Sequence, residues 1–130
     1  EKMVFIDKET NDLSYKIIGC AYNVHKELGP GLLESAYETC LCYELSKIEI
    51  NYEKQKGLPI IYKDVTLDCG YRIDILVENK IVIELKTVEK LLPIHTAQIM
   101  TYLKLSNKHL GLLFNFYNAN LQNGIKRYVL

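Results

Sequence analysis

The stretch YRIDILVENKIVIELK, residues 71–86, holds the pattern on which the fold turns. Side chains of an extended strand alternate between two faces. Tyr71, Ile73, Ile75 and Val77 then share one face, and Arg72, Asp74 and Leu76 the other. In the second half, Ile81, Ile83 and Leu85 lie opposite Val82, Glu84 and Lys86. Matching apolar face to apolar face sets the register parity of the pair. With the polar Glu78-Asn79-Lys80 as the connecting loop, Val77 pairs with Ile81, and Asp74 falls opposite Glu84. Two carboxylates opposed across a hairpin repel each other. A cation must offset that repulsion.

Two arrangements would supply one. In the plainer, Arg72 pairs diagonally with Glu84 and Asp74 with Lys86, giving a salt-bridged outer face worth little energy. In the other, a hard divalent cation such as Mg²⁺, with Mn²⁺ as a substitute, takes oxygen ligands from Asp74, Glu84 and the Leu85 carbonyl and keeps several waters. Lys86 lies two residues past Glu84, about 7 Å along the same face. From there it could orient or help deprotonate an attacking water and offset charge on a phosphoryl group.

Outward from the hairpin, Ile17, Ile18, Ala21, Val24 and Leu28 recur at helical spacing, which predicts a helix over 13–28 with Ser14 as its cap. Gly29-Pro30-Gly31 stops it. A second helix is expected over 33–47, with Leu33, Ala36, Tyr37, Cys40, Leu41 and Leu45 facing inward. Short strands follow over 51–56 and 58–62, then 66–76 and 81–85. Pro93 opens a third helix running to about 105, and 110–116 reads as a strand buried on both faces. An edge strand over 125–129 closes the series. The step from 81–85 through the third helix to 110–116 reads as a parallel crossover. Mixed α/β architecture is the result, a single domain over 1–130 with 1–12 as an N-terminal extension.

The chain has 130 residues, 16 basic and 16 acidic, so its net charge is zero. That argues against coating nucleic acid through bulk positive charge and leaves room for local grip. Cys20, Cys40, Cys42 and Cys69 form no C-x-x-C pair. Buried free thiols in a reducing compartment are expected, not a zinc site or disulfides. No apolar run is long enough to span a membrane, and residues 1–12 lack a signal-peptide layout. A soluble cytoplasmic protein is the expectation.

Ile73-Asp74 followed by Glu84-Leu85-Lys86 resembles the D…E-x-K core of the PD-(D/E)xK nuclease-like superfamily. Gly31-Leu32-Leu33-Glu34-Ser35-Ala36-Tyr37 resembles the signature of its GxxExxY family. His95-Thr96-Ala97-Gln98, Leu112-Leu113-Phe114-Asn115-Phe116 and Gly124-Ile125-Lys126-Arg127 are similar to further blocks in the same order. Ile73 stands where the superfamily usually has proline, a position that carries no metal ligand. The resemblance implies a restriction-endonuclease-like αβββαβ core with an extra N-terminal helix, a mixed central sheet flanked by helices, Mg²⁺ as cofactor and nucleic acid as substrate. It makes Glu34, in the first turn of the second helix, a third acidic group reaching the metal directly or through water. Without it, Glu34 reads equally well as a carboxylate favoured by the helix dipole. Tyr37 is expected to pack while its hydroxyl reaches toward the site.

His95, Gln98 and Tyr102 share one face of the third helix. Gln98 and Tyr102 resemble a Q-x-x-x-Y motif of part of the superfamily, which implies substrate contact and orientation of Lys86. Arg72 joins them as a substrate contact. Lys126 and Arg127 either meet backbone phosphate or protect an edge strand.

The leading expectation is a Mg²⁺-dependent nuclease acting on DNA in preference to RNA, with Glu34, Asp74, Glu84 and Lys86 catalytic. The alternative is a catalytically inactive nuclease-like module that binds nucleic acid or a protein partner, which the zero net charge favours. A small-molecule hydrolase with the same metal centre is a third class. The oligomeric state is left open, a homodimer included.

Overall fold

The computed structural model describes residues 5–130. In chain order the elements are α1 (Lys8–Leu28), α2 (Glu34–Lys47), β1 (Tyr52–Gly57), β2 (Ile60–Tyr62), β3 (Val65–Leu67), β4 (Arg72–Val77), β5 (Ile81–Lys86), α3 (Pro93–Ser106), β6 (Leu110–Asn115), a short 3₁₀ turn (Leu121–Gly124) and β7 (Ile125–Val129).

Helix α1 starts ahead of the predicted position 13. Asp7 caps it by accepting the Thr10 amide at 2.7 Å, and Lys8 pairs with Asp12 at 2.9 Å one turn on. These opening residues have no apolar stripe, so periodicity missed them. Residues 8–12 of the expected extension are therefore helix, while its residues 1–4 lie outside the described residues. Ser14 is no cap. It is buried within α1, donates to the Asn11 carbonyl at 2.6 Å, and accepts from Arg127 at 3.1 Å. Arg127 also donates to Asn11 Oδ1 at 2.8 Å, so it ties β7 to α1. Gly29, at φ 68°, ends the helix in the left-handed region that suits glycine.

The main sheet runs β1-β4-β5-β6-β7, with β5 and β6 parallel across the α3 connection and the other neighbours antiparallel. That connection and the buried β6 match the sequence reading. The predicted strand over 66–76 is in fact broken. Val65–Leu67 pairs only with β2 in a separate hairpin, and the chain turns at Gly70, φ 80°, before entering β4. Asp68 Oδ1 accepts the Gly70 amide at 2.9 Å, the local bond that makes aspartate a turn former. The order α2-β1-β4-β5-α3-β6 is an αβββαβ core. Around it stand the extra helix α1, the β2–β3 hairpin and the edge strand β7.

The sheet is covered on both faces. Ile17, Ala21 and Val24 of α1 and Tyr37, Leu41 and Leu45 of α2 pack on Ile75, Val77, Ile81, Ile83 and Leu85. Ile99, Tyr102 and Leu103 of α3 pack on Leu76, Val82 and Leu113. Leu33, expected on the inner stripe of α2, is instead its N-cap residue and 77% exposed. The thiols are free, but Cys40 is only half-buried and Cys69 is exposed, against the expectation that all would be buried. Among the described residues, no helix is long and apolar enough to cross a membrane.

Candidate active site

Strands β4 and β5 pair as the loop length demands, Val77 with Ile81, Leu76 with Val82 and Ile75 with Ile83. The backbone ladder then stops. At the next position the two acids reach across it. The Asp74 amide donates to Glu84 Oε2 at 2.9 Å, and the Leu85 amide donates to Asp74 Oδ2 at 2.8 Å. On the other side of β4 the ladder with β1 also skips Asp74, opposite Gln55. Gln55 sits at φ 51° and sends Nε2 to Glu38 Oε1 at 2.9 Å and to Asp74 Oδ1 at 3.4 Å. With pairing interrupted on both sides, side-chain alternation fails. Ile75 packs with α1 and α2, whereas Ile73 packs with α3. The reading that put Ile73 and Ile75 on one face is corrected accordingly.

Glu84 is 3% exposed. Burial, and next the charge of Asp74, push its pKa up to about 8, against smaller opposing effects of the Asp74 amide and Lys86. Burial also raises Asp74, with the Leu85 amide working against it and Glu38 adding to it. The salt-bridged face does not form. Among the described residues, no ion pair joins Asp74 or Glu84 to Arg72 or Lys86. Arg72 instead faces Asp68 at 3.7 Å and donates to the Tyr71 carbonyl at 2.9 Å, because β4 begins directly after the turn that Asp68 builds.

Lys86 is turned to α3. Its Nζ donates to Gln98 Oε1 at 3.0 Å, and Gln98 Nε2 donates to the Tyr102 hydroxyl at 3.1 Å. Both ends of the Gln98 amide are thus occupied, which fixes its orientation. Burial, and next the charge of Glu84, raise the Tyr102 pKa. His95 lies on the same helix face but is engaged locally, its Nδ1 accepting the Leu92 amide at 2.9 Å at the helix start.

Glu34 opens α2 and lines a pocket of about 300 Å³ with Ser35, Glu38, Gln55, Asp74 and Leu85. Burial raises its pKa, Lys86 opposes the rise, and Asp74 and Glu38 add to it. Tyr37 does not send its hydroxyl to the site. The ring is fully buried and stacks on Phe116 at 4.3 Å, while the hydroxyl donates to the Gly29 carbonyl and accepts the Leu32 amide at 3.2 Å. It staples the loop that delivers Glu34. Sequence reasoning missed Glu38, Gln55 and Asn115. Glu38 had a signal, since like charges at Glu34 and Glu38 are unfavourable on a helix unless something nearby compensates. Gln55, between two lysines in a strand, had none. Asn115 is buried and clamps the chain after β5, accepting the Val88 amide at 3.1 Å and donating to its carbonyl at 2.8 Å.

Among the described residues, no group of three or more His, Cys, Asp or Glu side chains comes together as a metal cluster. Glu34 lines the same pocket as Asp74, from the first turn of α2. The donor set that does converge is Asp74 with Glu84. Each gives one oxygen to a backbone amide, and among the described residues Glu84 Oε1 has no hydrogen-bond partner. A strand residue points its amide and carbonyl to the same side, so the Leu85 carbonyl faces β4 where pairing has ended. Two adjacent acids that resist ionisation, with a carbonyl beside them, fit a hard divalent cation that keeps waters.

No curated protein and no solved structure matches the chain. The family model of the PD-(D/E)XK nuclease superfamily matches residues 11–128, and the chain belongs to that superfamily.

Proposed function

We propose that this chain is a Mg²⁺-dependent nuclease that hydrolyses phosphodiester bonds of nucleic acid, DNA in preference to RNA, within the GxxExxY branch of its superfamily. The observation that carries the reading is the pair Asp74 and Glu84, joined through backbone amides and raised in pKa, beside a Lys86 anchored to α3. Superfamily membership over residues 11–128 supplies the reaction class.

In this reading Asp74, Glu84 and the Leu85 carbonyl hold the metal, and Glu34 meets it through water from the first turn of α2. A bound divalent ion supplies charge to the scissile phosphate and lowers the pKa of a bound water. Lys86 orients the attacking water and offsets the negative charge that builds on the phosphoryl oxygens. Gln98 holds the Lys86 ammonium in place, and Tyr102 holds Gln98. Arg72, 41% exposed at its side chain, is positioned to exchange Asp68 for a flanking phosphate.

The test is Mg²⁺-dependent cleavage by wild type, Lys86→Met and Glu84→Gln, prepared identically, on plasmid, linear and single-stranded DNA and on RNA. Wild type is expected to cut DNA, with both variants slower by about 10²-fold or more. Equal cleavage by all three overturns the active site. Binding without cleavage by wild type across the panel favours the non-catalytic module.

A further inference from the structure

Beside the acidic pocket, on the α3 side, lies a second cleft of about 340 Å³ that the reaction as described does not use. Ile60 from the β2–β3 hairpin, Tyr71 from just before β4, and Ile94 and Leu105 from α3 form its apolar walls. Tyr71 is 43% exposed and Ile94 67% exposed, so large apolar surfaces face solvent at the mouth. Tyr71 and Tyr102 meet edge to face with centroids 6.3 Å apart, which leaves the outer Tyr71 ring available. The polar groups of the cleft are few, Gln98 and Thr101 among them. Its inner wall is continuous with the catalytic machinery, because the Gln98 amide that lines it accepts Lys86 Nζ at 3.0 Å.

An apolar slot with one exposed aromatic and a few amide and hydroxyl groups suits a planar heterocycle with hydrogen-bonding edges. We infer that this cleft receives an unpaired nucleobase next to the scissile phosphate, so that the substrate is single-stranded where it is cut. The inference rests on the nuclease reading of the adjacent site. A paired base presents only its edge in a groove, whereas an unpaired base can stack on an aromatic side chain and be read along its edge. The zero net charge is compatible with this, since stacking needs no bulk positive charge. Gln98 links the two events. A base contacting its amide touches the same group that orients Lys86, so occupancy of the cleft and alignment of the ammonium are coupled.

The experiment measures fluorescence anisotropy of a labelled oligothymidylate, an abasic strand of equal length, and the oligothymidylate annealed to its complement, in Mg²⁺-free buffer. Wild type is expected to bind the single strand at least about fivefold tighter than the other two, the scale of one stacked base. Tyr71→Ala removes the platform, and Ala97→Trp fills the cleft from an exposed position on α3. Each should bring oligothymidylate affinity down to that of the abasic strand without changing the latter. Equal wild-type affinity for thymidylate and abasic strands overturns the inference, as does tighter binding of duplex. Unchanged thymidylate binding in two folded variants overturns it as well. None of these results touches the nuclease reading, which stands or falls on cleavage by wild type against Lys86→Met and Glu84→Gln.

Discussion

Glu84 Oε2 accepts the Asp74 amide at 2.9 Å, so the two acids of the site are joined through the backbone of one of them. The bond holds the carboxylates together where their charges oppose it. Burial and the Asp74 charge raise Glu84 from 4.5 to about 8. Below the unfolded value both states are protonated, and the contribution of Glu84 to stability is fully present. As pH climbs from there toward about 8, the unfolded chain ionises first and stability is lost. Asp74 and Glu34, also raised, act in the same direction. The chelated protein should therefore melt at a higher temperature near pH 5 than near pH 8.5, by roughly 5 °C or more. Glu84→Gln should remove most of that slope in thermal melts. A slope of the same size in the variant would place its origin elsewhere.

Metal binding should be weak in the absence of substrate, because two carboxylates and a carbonyl leave several coordination positions to water. Titration calorimetry with Mn²⁺ is expected to show binding by wild type and Lys86→Met, and none by Asp74→Asn. Equal affinity in wild type and Asp74→Asn removes the metal assignment. Mn²⁺ should also raise the melting temperature more near pH 8.5 than near pH 5, the reverse of the metal-free trend.

Gln98→Ala releases the Lys86 ammonium from α3 without opening the core, since the Gln98 side chain is only part-buried. Cleavage should fall through kcat more than through KM, while stability changes by less than about 1 kcal/mol. Gln98→Glu, which keeps an acceptor for Lys86, should restore part of the rate. A loss of stability as large as a core truncation would return Gln98 to a structural role.

Tyr37→Phe keeps the ring stacked on Phe116 and removes both hydrogen bonds to the Gly29–Leu32 loop. Denaturant unfolding should show a loss of about 1–2 kcal/mol from the stranded loop groups. Affinity for Mn²⁺ should not change. A drop in affinity like that expected of Asp74→Asn would place the hydroxyl in the site after all.

The legible parts of this protein are those whose physics is local. Alternation in 71–86 with a short polar loop was enough to pair Val77 with Ile81 and to bring Asp74 toward Glu84. Pro93 marked the start of α3, and the apolar run at 110–116 marked a strand buried on both faces. The helical spacing of Gln98 and Tyr102 put them on one face, which is why they could be grouped before their bond was known. What was misread was misread for a reason of the same kind. The opening turn of α1 is held by a cap and an ion pair, not an apolar stripe, and the strand expected over 66–76 hides a turn because Asp68 and Gly70 sit among strand-forming residues.

By itself, then, the sequence determined the register of the hairpin from Val77 and Ile81, the crossover through α3, and that Asp74 comes toward Glu84. Repeat spacing and loop length decide those within a few neighbouring residues. Only the tertiary structure decided where the polar side chains end. Ile73 leaves the face of Ile75 because Asp74 has no ladder partner on either side. Lys86 binds Gln98 and not a carboxylate because α3 packs beside β5. Tyr37 holds its own loop because Phe116, far along the chain, fills the space behind its ring. Each of these bonds has a partner supplied by folding, and side chains with several attainable partners take the one that packing brings within reach.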